Sequence, residues 1–378
     1  MERLKLVVFP LPSYNQQPIL DKEVTSVDEL PLANLKRWQW WFLVALNILF
    51  LVVGQAAAVL LGRFYYDKGG NSKWMATVVQ TAAFPILFIP LFLFRSTKDT
   101  STSTNPPSIL FLLLIYFSLG SLIALDNWMY STGLLYLSAS TYSLICASQL
   151  AFNSVFSYFI NSQKFTILIS NSVVILSLSS ALLAVNDDSE RPPGVSNSKY
   201  FIGFISSLGA SALYSLLLSL MQLTFQKVLK RETFSVVLEM QIYTSLVATI
   251  VSVVALFASG EWKSLPQEMA SFGTGRVSYV LTLVGTAVAW QTCSVGVVGL
   301  IFIVSSLFSN AISTVSLAVT PLAALVVFHD KMNGVKIIAL LLAVWGFVTY
   351  LYQNYIDQSK AQRRQNRTDE PHDEGSLC

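Results

Sequence analysis

Charge is scarce in this sequence. Asp, Glu, Lys and Arg make up 12% of its 378 residues, against roughly 25% in a water-soluble chain, and 53% of the residues are apolar. A soluble enzyme of two or three domains is thereby excluded. Cysteine is nearly absent: Cys146, Cys293 and Cys378 cannot build a disulfide framework, and the first two lie in apolar runs. Two histidines, His329 and His372, leave little for a metal site. The net charge of +3 is small and its basic residues are dispersed, so no nucleic-acid face is implied. With 24 Phe, 15 Tyr and 8 Trp, a disordered or fibrous chain is excluded as well. What remains is an integral membrane protein whose largest partner is the lipid bilayer.

A membrane-crossing helix needs about 20 mostly apolar residues. Such runs fall near 40–62, 74–94, 109–132, 138–160, 166–185, 200–226, 234–259, 277–301, 305–328 and 336–355, ten in all. Two junctions, 136–140 and 303–306, have almost no polar loop. Breaker residues mark others: Gly69-Gly70-Asn71, a Ser/Thr-rich stretch over 95–108 that closes on Pro106-Pro107, and 186–199 with Asp187, Asp188, Glu190 and Pro192-Pro193-Gly194. The expected organisation is a polar tail over 1–35, five spans over 36–185, a linker over 186–199, five spans over 200–355 and a tail over 356–378. The apolar patch at 6–11 is short and interrupted by Pro10, unlike a signal peptide, so the first span is expected to do the targeting. With both termini cytosolic, 15 basic residues fall inside and 9 outside, a moderate bias of the expected sign.

The segment Gly133-Leu-Leu-Tyr-Leu-Ser-Ala-Ser-Thr-Tyr-Ser aligns without gaps with Gly299-Leu-Ile-Phe-Ile-Val-Ser-Ser-Leu-Phe-Ser. Each copy sits at a span junction. Five spans per repeat, an odd number, force the halves into opposite orientations, the inverted plan of secondary transporters, which hold substrate near the midplane between the halves.

Of 21 acidic residues, only Asp126 and Glu239 fall inside expected spans, while every Lys and Arg falls in a loop, a span end or a tail. A carboxyl near the bilayer centre costs on the order of 2.5–3.5 kcal/mol to insert when charged. One that lacks a cationic partner suits a group that binds and releases a proton. Asp126 could instead lie at an interface, and Glu239 could be a first-turn acid. Tyr130 shares a helix face with Asp126, with Asn127 beside them, and Tyr243 shares one with Glu239, with Gln241 close by. Gln149 and Asn153 form another pair four residues apart, Trp290-Gln291 lie in the eighth span and Gln55 in the first. Such amides serve equally as glue between helices. A neutral, planar heteroaromatic ligand would use this set, amides for its edge and aromatics for its face.

The missing cations disfavour phosphorylated substrates, which need Arg, Lys or a backbone nest. No phosphate-binding lysine motif is present, and no His/Asp, Cys/His or metal constellation is assembled, so neither an ATP-driven pump nor an enzyme is expected, and no cofactor. Pro85, Pro90 and Pro321 are candidate kinks.

Several stretches together resemble the plant purine permeases of the drug/metabolite transporter superfamily: 125–144 (LDNWMYSTGLLYLSASTYSL), 148–153 (SQLAFN), 161–166 (NSQKFT), 238–241 (LEMQ) and 316–323 (SLAVTPLA). The likeness covers about 36–357. It implies an all-α fold of ten transmembrane helices in a five-plus-five inverted repeat. It also implies proton-coupled uptake of adenine-type purines, cytokinins and related heterocycles. Carried onto this chain, the family's polar positions are Asp126, Asn127, Tyr130, Gln149, Glu239, Gln241 and Trp290. The family often has Leu-Pro at the third-to-fourth junction; here it reads Leu137-Ser138.

The expectation is therefore an alternating-access importer. Glu239, or else Asp126, carries the proton. Asn127, Tyr130, Gln149, Asn153, Gln241, Trp290, Gln291 and Gln55 are the candidate substrate contacts. The plasma membrane is the first expected location, with tonoplast and endoplasmic reticulum as alternatives; the residues leave the oligomeric state open. An exporter or exchanger of other metabolites and a non-transporting scaffold or receptor are the rivals.

Overall fold

The structure is a computed structural model that describes residues 37–93, 108–161, 166–185, 195–224, 227–228, 234–303, 306–329 and 333–368. The expected tail over 1–35, most of the 186–199 linker and the last ten residues lie outside them. Among the described residues every regular element is helical: α1 (Arg37–Asp67), α2 (Lys73–Ala82), α3 (Phe88–Leu93), α4 (Ile109–Tyr136), α5 (Ala139–Cys146), α6 (Gln149–Asn161), α7 (Ile167–Val185), α8 (Asn197–Thr224), α9 (Phe234–Ala258), α10 (Leu265–Ser271), α11 (Arg276–Ile303), α12 (Ser306–Phe328) and α13 (Gly334–Thr368). Seven helical segments are long and apolar enough to cross a membrane, and Ile167–Leu182 and Ile312–Phe328 are shorter apolar helices. The protein is an all-α, multi-pass membrane protein. Helix α13 runs on to Thr368, past the expected span end at 355.

The outer faces carry large apolar side chains that a soluble protein would bury, among them Phe42 on α1, Leu114 and Phe117 on α4, and Val254 on α9. In a bilayer these face lipid at no cost. The interior is rich in small hydroxyl residues. Ser207, Ser211 and Ser215 on α8 are fully buried, and each donates to the carbonyl four residues earlier, at 2.7–2.9 Å. Back-bonding satisfies Ser207 and Ser211 without a neighbour's help and keeps the helix face narrow, while Ser215 also reaches a carbonyl of α6.

Two breaks set the geometry that matters most. Pro85, with no N–H to donate, ends α2 and opens a 3-10 turn over Phe84–Leu87 before α3. At 137–138 the backbone of Leu137 and Ser138 is extended. Ser138 then caps α5, its Oγ accepting from the Thr141 N–H at 3.4 Å. A serine cap thus starts the helix at the position where the resembled family often has proline. The matching junction at 303–306 includes residues outside the described set.

Two basic residues expected at the outer side are in fact buried in helices, because backbone and hydroxyl acceptors await them there. Lys336 is fully buried and donates to Ser140 Oγ at 3.2 Å. Arg63, 5% exposed, donates to the carbonyls of Leu134, Leu135 and Leu137 at 2.8, 3.2 and 2.8 Å and to Asp67. These are the orphan carbonyls at the C-terminus of α4, where a cation is favoured. Arg63→Ala is expected to cost about 3 kcal/mol, seen as a lower melting temperature of the detergent-solubilised protein. Arg63→Lys should recover only part, because one ammonium cannot reach three carbonyls and Asp67 at once.

Candidate functional site

At the end of the bundle where α1 stops and α2 begins, helices α1, α2, α4, α5 and α11 enclose a narrow cleft. It is tight in this structure, with a cavity volume of about 20 Å³, roughly the room for one water. Tyr65 and Tyr66 come from α1, Val79 and Gln80 from α2, Tyr130, Ser131 and Leu134 from α4, Tyr142 from α5, and Leu283, Thr286 and Trp290 from α11. The helical period brings 283, 286 and 290 to one face of α11, and 76, 79 and 80 to one face of α2. No lining residue is charged. The walls are aromatic: Tyr130 meets Tyr142 edge to face at 6.0 Å and 74°, and Tyr65 meets Tyr66 at 5.0 Å and 62°.

Acidic groups hold the roof. Buried Glu268 on α10 accepts from the Tyr65 hydroxyl, from the Tyr279 hydroxyl at 3.1 Å, and from the N–H groups of Asn71 and Ser72 at 3.0 and 3.2 Å. Glu261 accepts from Ser72 Oγ at 2.7 Å and from the Trp74 N–H at 3.0 Å. Two carboxylates from the α9–α11 connection thus cover the N-terminus of α2, the favoured place for negative charge, and fix the α1–α2 loop over the cleft. Nothing local in the sequence marks either carboxylate; their role comes from the N–H groups at the start of α2 that they accept from.

One helical turn from Tyr130, Asp126 is 3% exposed and its Oδ1 has no hydrogen-bond partner. It lies within electrostatic reach of the hydroxyls of Tyr130, Tyr142 and Tyr214 and of the Cys146 thiol. These groups come from α4, α5 and α8, and Tyr130 and Tyr142 are shared with the lining of the aromatic cleft.

Of the residues singled out in the sequence, the structure brings Asp126, Tyr130 and Trp290 together here. Asn127 contributes its backbone carbonyl, which accepts from Gln80 Nε2 at 3.4 Å. The others lie elsewhere. Gln55 is buried against α12, its Oε1 accepting from Ser313 at 3.4 Å. Gln149 is buried at the start of α6 and its carbonyl takes the Ser215 hydroxyl at 2.6 Å; Asn153, partly buried, is one turn further on. Gln291 is 1% exposed with an unpartnered Oε1, on the face of α11 shared with Val295 and Val298, which pack against Leu87, Leu238 and Ile242. Gln241 is partly buried on α9. Glu239 is exposed near the start of that helix, near Tyr116, which stacks on Tyr243 at 5.5 Å. His329 is exposed at the end of α12 with a left-handed φ of 53°.

Gln80, Ser131, Tyr65, Tyr66 and Tyr142 were not singled out from the sequence. Gln80 carried a usable signal, an amide inside the second apolar run; the tyrosines carried none beyond their number.

The family described as purine nucleobase transmembrane transport matches residues 42–360 of this chain. "Probable purine permease 11" of Arabidopsis thaliana is 69% identical over 350 residues, 92% of each chain. "Probable purine permease 13" is 60% identical over 332 residues, 88% of this chain and 91% of that protein. "Purine permease 21" is 49% identical over 363 residues, 94% and 93% of the two chains; both are from the same plant.

Proposed function

This chain belongs to the purine permeases, a family of purine nucleobase transmembrane transporters rather than enzymes, and from that membership we propose that it imports adenine-type purines, N6-substituted cytokinins included, together with protons. The observation that carries this reading is an uncharged aromatic cleft one helical turn from a buried, unpartnered carboxyl. A neutral purine enters as Tyr130, Tyr142 and Trp290 part to offer ring faces, because the cleft as it stands holds about 20 Å³; the absence of a cation in the lining disfavours nucleotides. Asp126 carries the coupled proton. Its burial makes the charged form costly, whereas exposed Glu239 keeps access to solvent or headgroups.

The alternating-access part rests on a ten-span, five-plus-five inverted fold of the drug/metabolite transporter kind. Helix neighbours support it, because they are reciprocal under exchange of the halves. The α1–α11 contact answers α8–α4, α1–α12 answers α8–α6, and α4–α9 answers α11–α2; α2–α9, α5–α12 and α7–α13 answer themselves. With both termini cytosolic the cleft opens outward, which suits an importer at the plasma membrane.

Uptake of radiolabelled adenine into yeast lacking its own purine importer tests the reading, at external pH of about 5 and about 7.5, with and without a protonophore. Faster uptake at the lower pH, abolished by the protonophore, is expected. Efflux from preloaded cells without uptake points to an exporter, and no movement of any of a broad purine panel, with the protein at the surface, points to a scaffold; either overturns the reading.

A further inference from the structure

We propose that Gln80 is a specificity-determining residue of the cleft, its Oε1 accepting a hydrogen bond from an N–H of the bound heterocycle. The inference rests on the reading of the cleft as the purine site. It begins from how the amide is held. Gln80 Nε2 donates to Ser131 Oγ at 2.8 Å, to the Ala76 carbonyl at 3.3 Å and to the Asn127 carbonyl at 3.4 Å. Two of these three partners are carbonyl oxygens, which can only accept. The opposite amide orientation would set oxygen against oxygen, so the nitrogen is pinned against α4 and the oxygen is left over. Among the described residues nothing donates to that oxygen, and it is not sealed away from space.

Several hydroxyls around the cleft are already engaged, whereas that of Tyr66 is buried without a partner. Tyr65 donates to Glu268, Thr286 to the Thr282 carbonyl at 2.7 Å, and Thr77 reaches Ser131 Oγ at 3.3 Å. With its nitrogen held this way, Gln80 presents a fixed acceptor in the lining. A ligand that brings an N–H completes it; one that brings a methyl or a ring nitrogen lone pair at that point leaves a buried acceptor unpaired. Sites built to hydrogen-bond a substrate reject analogues that lack the group more strongly than apolar pockets reject extra bulk. Adenine offers two such donors, the exocyclic amine and the imidazole N–H.

The experiment is competition against radiolabelled adenine uptake by two analogues, N6,N6-dimethyladenine, which lacks the amine N–H, and 9-methyladenine, which lacks the ring N–H. In the wild-type protein at least one of them is expected to compete about 10-fold or more worse than adenine. In Gln80→Met, close in length but without the acceptor, adenine should weaken by about 10-fold and its advantage over that analogue should shrink to about 2-fold. Ser131→Ala removes the shortest anchor of the amide but keeps the acceptor, and should fall between the two; it serves if Gln80→Met does not reach the membrane. Variants that transport and discriminate as the wild type does overturn the role of Gln80 alone. A wild-type protein that moves no purine overturns the purine reading itself, and this inference with it.

Discussion

Asp126→Asn is expected to abolish proton-driven accumulation of purine while the protein still reaches the membrane and still exchanges purine for purine. The side chains are nearly isosteric, so the packing of α4 against α8 and α9 is untouched. What changes is that the residue can no longer alternate between charged and neutral forms. In the wild-type protein a charged Asp126 would sit 3% exposed with one oxygen unbonded, and a buried, unpaired ion costs several kcal/mol. On the proposed mechanism, a proton arriving there would change the energy of the surrounding helices by enough to bias which side is open. A two-unit pH gradient supplies about 2.7 kcal/mol per proton, worth about 100-fold concentration of substrate. Asp126→Asn should reduce that ratio to about 1, with uptake independent of external pH and insensitive to protonophore. Counterflow of labelled adenine against unlabelled adenine should persist. Because an unpaired acid has been replaced by a neutral amide, the melting temperature should be equal or higher, which separates loss of coupling from loss of fold. Glu239→Gln, on the exposed side of α9, should keep its pH dependence. If Asp126→Asn still accumulates purine in a protonophore-sensitive way, the proton site has been assigned to the wrong residue.

The second large effect concerns the contact between α1 and α11, the most extensive helix pair among the described residues. These helices touch backbone to backbone through glycine. A Cβ added at Gly54 would stand 2.7 Å from the Cys293 nitrogen and 2.9 Å from the Ala289 oxygen. One added at Gly296 would stand 2.6 Å from the Leu51 nitrogen and 2.7 Å from the Asn47 oxygen. Backbone atoms cannot rotate away, so the helices themselves must part. Small residues at such crossings are what holds membrane helices together, since lipid offers no hydrophobic drive between them. Gly54→Ala and Gly296→Ala are each expected to cost about 3 kcal/mol, and the valine variants should fail to fold. Size-exclusion profiles and melting curves in detergent would read this directly. Gly285→Ala is the control: the added Cβ meets only Leu61 Cδ1, at 3.2 Å, the free end of a side chain that can move. If it is as damaging as Gly54→Ala, close approach of the backbones is not the reason. Uptake should fall with stability, because α1 and α11 both line the cleft, through Tyr65, Tyr66 and Trp290.

Much of this was legible in the residues. Scarce charge and long apolar runs suffice for a helical membrane protein, and short motifs such as 125–144 and 148–153 suffice for the family, later matched over 42–360. Helix breaks carried local signals too, Pro85 for the 3-10 turn and Ser138 for the start of α5. The site was legible only in part. Asp126 declares itself because a carboxylate in an apolar run needs a reason. Amides do not: Gln55 joins α1 to α12 through Ser313, whereas Gln80 lines the cleft, and nothing local to either residue separates the two roles.

The sequence by itself determined the solvent this protein folds in, its helical class and its family, because those depend on composition, run length and contiguous motifs. Only the tertiary structure decided which polar side chains face one another. In water the apolar stripe of a helix marks its inner face; in lipid both faces are apolar, so Leu114 and Phe117 on α4 point outward while Leu119 and Leu134 are buried with no change of residue type to announce it. The meeting of Gln80 with Ser131, of Arg63 with the end of α4, and of Glu268 with the start of α2 follows from how helices distant in the chain cross. No periodicity within one helix encodes those crossings.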